Sequence, residues 1–139
     1  MLKKEQINFP ISIDLNLSKT PDIAQTIAVT CYGLGIGCNL EGLHTLKIKE
    51  TDRLIALERE LKKLGANIKI TESTLTLIPG NNFIQNCSIS TYNDHRMAMS
   101  FAPLSLKIPL QIKDYKVVSK SYPNFWKDLV KLNFIIDKR

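Results

Sequence analysis

A mixed α+β fold follows from three features of this 139-residue sequence. Short runs alternate apolar with polar residues as half-buried strands do, longer stretches carry apolar residues at helical spacing, and the order helix, strand, helix occurs twice. The length suits a single domain, 1–139, and is ample for a buried core. With 44% hydrophobic and 23% charged residues, the composition is that of a globular chain rather than a disordered one.

A first strand is expected over residues 9–17, with Ile11, Ile13, Leu15 and Leu17 on one face and Ser12, Asp14 and Asn16 on the other. Thr20, Pro21 and Asp22 then open a helix: Thr20 can cap it, Pro21 suits its first position, and Asp22 complements the dipole. That helix is apolar almost all round, through Ile23, Ala24, Ile27, Ala28, Val29 and Cys31, until Gly33, Gly35 and Gly37 end it, so it belongs inside. Residues 38–43 and 45–48 read as short strands. Thr51 is the natural N-cap of a second helix, whose Leu54, Leu57, Leu61 and Leu64 line one face and whose stop is Gly65. Residues 67–71 and 74–78 alternate and are split by Glu72 and Ser73, the length of a hairpin turn. Residues 79–82 form a loop and residues 87–91 a strand. Asn93 and Asp94 cap a helix that begins near His95 and kinks or ends at Pro103. A strand at 110–112, a loop at 115–122 and a helix at 123–132 complete the chain.

Nineteen Lys and Arg against 13 Asp and Glu leave a charge of +6, which points to anionic partners, either small phosphorylated molecules or nucleic acid. Against a basic nucleic-acid-binding module, the aromatic residues do not interleave with the basic ones and no recognition-helix or RNA-motif signature is present. Cys31, Cys38 and Cys87 are odd in number, contain no C-x-x-C pair and do not cluster with His44 or His95, which argues against a zinc site or a disulfide framework. Residues 1–10 hold no apolar core of signal-peptide length, and the mostly apolar run 23–36 is too short for the roughly 20 residues that span a bilayer. A cytoplasmic location and no membrane partner are the expectation.

Charge chemistry concentrates in two places. Lys49, Glu50, Thr51, Asp52 and Arg53 put two cations and two further carboxylates directly before the second helix, whose unpaired N–H groups favour an anion. Asp94, His95 and Arg96 do the same at the start of the third, where Arg96 can bind an anion through two parallel hydrogen bonds. The two places are related. Asp22 lies 27 positions before Lys49, and Asp94 lies 26 before Lys120, each pair spanning a helix, a strand and the start of another helix. Duplicated units, approximately 9–78 and 87–139, would bring equivalent ends to one side and gather Asp22, Lys49, Asp94 and Lys120 into a site.

Lys-Glu-Thr-Asp-Arg at 49–53, Tyr-Asn-Asp-His-Arg-Met-Ala-Met at 92–99 and Ser-Lys-Ser-Tyr-Pro at 119–123, in that order and after the Pro-Asp at 21–22, resemble the 5-enolpyruvylshikimate-3-phosphate synthases. The related enolpyruvyl transferases that act on a UDP-amino sugar fit less well, since their usual cysteine loop has no counterpart here. The resemblance implies an enolpyruvyl transferase-like domain of repeated βαβαββ units, an inside-out α/β barrel, of which this chain holds about two of three units. It implies transfer of enolpyruvyl from phosphoenolpyruvate to shikimate 3-phosphate, without metal or organic cofactor. Asp22 and Glu50 are implied as acid–base groups, Lys49 as a contact to shikimate phosphate, and Arg53, Arg96 and Lys120 as the clamp on phosphoenolpyruvate, with Asp94 and His95 in support. Lys120 is also implied in catalysis. Thr45 stands where many relatives carry an Asn that contacts shikimate. Such enzymes are several times longer and close two domains over their substrates, so this chain is expected to need the missing N-terminal domain for turnover and to self-associate without it. The whole enzyme is expected to be a monomer.

Overall fold

Ser12–Asn16 (β1) and Gly37–Glu41 (β2) run parallel, Ile13 beside Cys38 and Leu15 beside Leu40, so the chain has to cross over between them. The crossover is Ala24–Leu34 (α1), entered through a 3-10 turn at Pro21–Ile23. In the computed structural model the described residues are 8–80 and 82–137. Most of the segment read for a signal core, and Asn81 of the 79–82 loop, lie outside them. Ile68–Ile70 (β3) and Leu75–Leu77 (β4) form the expected hairpin, and β4 pairs antiparallel with β2 to give a four-stranded sheet in the order β1-β2-β4-β3. At the hairpin tip Thr71 Oγ1 accepts from the Ser73 and Thr74 amides, which holds the two-residue turn that Glu72 and Ser73 supply.

The parallel pairing with a helix between recurs. Ser88–Ile89 (β5) pairs in parallel with Gln111–Ile112 (β6), and His95–Phe101 (α3) lies between them in sequence. Arg53–Lys63 (α2) follows β2, and Phe125–Lys131 (α4) follows β6. The larger apolar core joins both halves: Ala28 and Tyr32 of α1, Leu40 of β2, Leu57 and Leu61 of α2, and Met97 and Phe101 of α3 are all buried in it, and a smaller cluster of Ala98, Ala102, Val118 and Phe125 seats α4. Tyr32 serves it twice, packing edge-on against Phe83 and donating its hydroxyl to the Leu64 carbonyl at 2.6 Å. The four leucines expected on one face of α2 are completely buried. Leu57→Ala should therefore lower stability by about 2–5 kcal/mol in urea unfolding, with the charged residues at the start of α2 untouched.

Several elements differ from expectation, each for a local reason. The cap of α2 is Asp52, whose carboxylate accepts from the Ile55 amide at 3.1 Å; Thr51 sits one residue too early to reach it. Thr20 makes no side-chain cap, and Gly33 lies within α1, which ends instead at Gly35 in the left-handed conformation. Asn93 does not cap α3; Asp94 does, accepting from the Arg96 amide. The expected strand at 45–48 is a 3-10 turn, His44–Ile48. Both edges of β2 are taken by β1 and β4, so this segment has no ladder to join and closes on the Leu43 carbonyl instead. The expected loop at 115–122 contains a 3-10 turn, Tyr115–Lys120, started by the left-handed Asp114 and anchored by buried Val118. The first strand is shorter than 9–17, and its apolar row loses cover at the sheet edge, where Ile11 and Leu15 are exposed. Pro103 acts as read: α3 stops at Phe101 and continues as a 3-10 turn, Ala102–Leu106.

The buried thiols of Cys31 on α1 and Cys38 on β2 are hydrogen-bonded to each other. That bond and burial push the Cys38 thiol far above its ordinary value, so it remains protonated.

Candidate active site

The centre of the site is a buried arginine. Arg53 is the first residue of α2, and Leu54, Leu57 and Leu61, which seat the helix in the core, hold its side chain inside, 2% exposed. An arginine this buried needs its donors filled, and three carboxylates fill them. Its Nε donates to Asp94 Oδ2 at 2.6 Å, with Nη2 3.4 Å from Asp94 Oδ1. Nη1 donates to Asp22 Oδ1 at 2.8 Å and Nη2 to Glu50 Oε2 at 2.6 Å. These carboxylates come from three separate stretches: the 3-10 turn before α1, the loop before α2, and the cap of α3.

Around this core lies a second, more accessible layer. Lys49 Nζ stands 3.4 Å from Asp22 Oδ1. Arg96 reaches the same residue from α3, its Nη1 donating to the Asp22 carbonyl at 3.2 Å and its Nη2 lying 3.5 Å from Oδ2. The inner pair, Arg53 and Asp94, is sealed, whereas Asp22, Glu50, Lys49 and Arg96 are each between one third and one half exposed. A small anion can therefore meet Lys49 and Arg96 without disturbing the buried pair. Arg96 Nε is buried and, among the described residues, has no hydrogen-bond partner.

Of the residues expected at the site, the structure brings together Asp22, Lys49, Glu50, Arg53, Asp94 and Arg96. His95 occupies the first position of α3, half-buried. Thr45 lies in the 3-10 turn before the Lys49 loop, its hydroxyl buried and, among the described residues, unpartnered. Lys120 ends the 3-10 turn Tyr115–Lys120, exposed and in no hydrogen bond or ion pair among the described residues, so it is not joined to the cluster. Among the described residues no group of three or more His, Cys, Asp or Glu could hold a metal ion.

Gln25 and Glu60, both buried near these elements, were not expected. Gln25, three positions after Asp22, has both amide atoms buried and, among the described residues, unpartnered. Glu60 is fully buried, seven positions after Arg53, a spacing of almost two helical turns that puts both on one face of α2. That spacing, a charge aligned with a leucine stripe, was the readable signal for Glu60. Gln25 offers none beyond lying on a mostly apolar helix.

The family model described as EPSP synthase (3-phosphoshikimate 1-carboxyvinyltransferase) matches residues 5–129. A 3-phosphoshikimate 1-carboxyvinyltransferase of Bacteroides fragilis (strain YCH46) is 45% identical over 125 residues, covering 88% of this chain and 30% of that protein. The enzyme of the same description from Paraburkholderia phytofirmans is 41% identical over 118 residues, 84% of this chain and 27% of that protein. The solved EPSP synthase of Acinetobacter baumannii shares the fold, with a TM-score of 0.70 at 23% identity over 77% of this chain and 26% of that chain. The chain thus spans about 30% of the length of the Bacteroides relative.

Proposed function

The chain belongs to the EPSP synthase family, and on that footing we propose that it carries one side of a site transferring enolpyruvyl from phosphoenolpyruvate to the 5-hydroxyl of shikimate 3-phosphate. The observation that supports this most is the convergence of Asp22, Glu50 and Asp94 on Arg53, with Lys49 and Arg96 meeting at Asp22. Such a transfer proceeds by addition and elimination. The hydroxyl oxygen bonds to C2 of phosphoenolpyruvate as C3 gains a proton; phosphate then leaves C2 as C3 gives a proton back. Asp22 serves the attacking hydroxyl and Glu50 the methylene carbon, and both are exposed enough to meet substrate. Arg96 and Lys120 hold phosphoenolpyruvate, Arg53 adds charge from behind, and Lys49 takes the phosphate of the second substrate. Asp94 and His95 support the clamp, and Thr45 contacts shikimate.

The reading includes a division of labour. The units are 9–78 and 87–139, two of three in one domain, and a companion N-terminal domain supplies the remaining substrate contacts and the closure that excludes water. This chain alone therefore binds phosphate-like anions weakly, does not turn over, and is prone to self-association along the β1 edge, where Ile11 and Leu15 are exposed. The whole enzyme works as a cytoplasmic monomer without cofactor. Among the described residues no helix is long and apolar enough to cross a membrane.

Titration of the isotope-labelled chain with phosphoenolpyruvate tests the site. Saturable shifts at Arg53 and Arg96 are expected, and Arg96→Ala should weaken binding by about tenfold or more, as loss of a charge-assisted contact does. Binding of duplex DNA or RNA that falls steeply with salt, without response to phosphoenolpyruvate, would refute the proposal. A transferase rate from the 139-residue chain alone would refute the division of labour.

A further inference from the structure

Glu60 stands outside every role assigned so far, yet it is a completely buried carboxylate with both oxygens committed. Oε1 accepts from the Tyr92 hydroxyl at 2.6 Å and from Lys63 Nζ at 2.8 Å. Oε2 accepts from the Ser90 amide at 3.1 Å and from Lys63 at 2.6 Å. Lys63 lies on α2 itself, one turn on, and neutralises the charge locally. Ser90 and Tyr92 belong to the other half of the chain, so Glu60 fastens α2 to the segment that runs from β5 into α3.

That segment is unusual. The Asp94 amide donates to the Thr91 carbonyl at 2.8 Å, closing a turn whose two central residues, Tyr92 and Asn93, both have positive φ, 53° and 58°. Asparagine tolerates this conformation, but tyrosine does so reluctantly, and a turn of this kind needs outside support. Support arrives on both sides from one helix face. Before the turn Glu60 holds Ser90 and Tyr92, and after it Arg53 holds Asp94, from positions nearly two helical turns apart. Burial, followed by the bond to Glu60, pushes the Tyr92 hydroxyl above its ordinary value and keeps it a donor.

We infer that Glu60 is a positioning residue for the anion site: by holding Tyr92 and Ser90 it fixes the left-handed 91–94 turn, and through that turn the placement of Asp94, His95 and Arg96. The inference rests on the proposed function for what Arg96 binds, but not for the turn itself.

Tyr92→Phe removes only the hydroxyl and keeps the ring, and Glu60→Gln presents an amide N–H₂ to the donors Ser90 and Lys63. Amide spectra of both variants without added anion should show displaced or broadened Asp94, His95 and Arg96 signals, while β2 signals from Gly37–Glu41 stay in place. Phosphoenolpyruvate affinity should fall by about three- to tenfold in Tyr92→Phe. Leu57→Ala is the control for a merely structural effect: brought to the same melting temperature, it should leave the Arg96 signal and the affinity unchanged. A folded Tyr92→Phe or Glu60→Gln with Asp94, His95 and Arg96 unmoved would overturn the inference, as would a Leu57→Ala spectrum displaced at the same three residues. If the unmodified chain took up no phosphoenolpyruvate, the proposed function would fall, and the anion-free spectra would still decide the role of Glu60.

Discussion

Arg53→Met will cost about 3–5 kcal/mol of folding stability, the range for taking one partner from a buried ion pair. Methionine fills much of the arginine volume, so the loss isolates charge from packing. It leaves Asp94, which is 0% exposed, with only the Arg96 amide on Oδ1 and nothing on Oδ2, and it leaves Asp22 and Glu50 without the group that draws them together. Urea unfolding measures the effect, and a loss below about 1 kcal/mol would mean that the guanidinium does not hold the buried carboxylate in place. Adding Asp94→Asn to the variant should return part of the loss, because residues in direct contact couple by about 0.5–3 kcal/mol. Arg53→Lys should be damaging too. One ammonium keeps the charge but cannot present the planar fork that meets three carboxylates from three directions. Since Asp22 is gathered by Arg53 and in turn meets Lys49 and Arg96, phosphoenolpyruvate uptake should be lost with stability.

Gly42→Ala should cost about 2–6 kcal/mol, combining strain at a left-handed position with overpacking. Gly42 has φ +77°, and a Cβ there would lie 2.2 Å from Ser18 Oγ, 2.5 Å from Ser18 N and 2.7 Å from Ser18 Cα. The hydroxyl could rotate away, but the Ser18 backbone cannot, because the neighbouring Leu17 amide is bonded to the Glu41 carbonyl as the continuation of the β1–β2 ladder. Gly80→Ala is the comparison. It also has positive φ, +145°, but nothing within 4 Å of the added carbon, so its cost should be backbone strain alone. Equal melting temperatures for the two variants would show that the contact with Ser18 is unimportant. The position matters for the site, because Gly42 is where the chain leaves β2 for the 3-10 turn His44–Ile48 and the loop with Lys49 and Glu50.

Local pattern made much of this readable. The α2 leucines, the Glu72 and Ser73 turn, and the stop at Pro103 each depend on residues a few positions apart, so spacing alone carried them. The motifs at 49–53 and 92–99 named five of the residues that meet around Arg53 and Asp22, and the Pro-Asp at 21–22 named the sixth. Their arrangement was less accessible. Arg53 was expected to face an anion at a helix N-terminus, yet its guanidinium is turned inward onto Asp94, 41 positions away in the chain. The 45–48 stretch alternates like a strand but finds both edges of β2 occupied. Thr51 has the chemistry of a cap and the wrong position for one.

Composition, spacing and motif are properties of neighbouring residues, and they were enough to establish the α+β class, the helices and hairpin, the family resemblance and the residue types that an anion site requires. Whether a given charge is spent inside the protein or left for a ligand is settled by which distant groups the fold brings within about 3 Å, the range of a hydrogen bond. Asp22, Glu50 and Asp94 share one buried arginine, and Glu60 reaches Tyr92 across two elements, only because α2 packs against both halves of the chain; no pattern along a single segment encodes that contact.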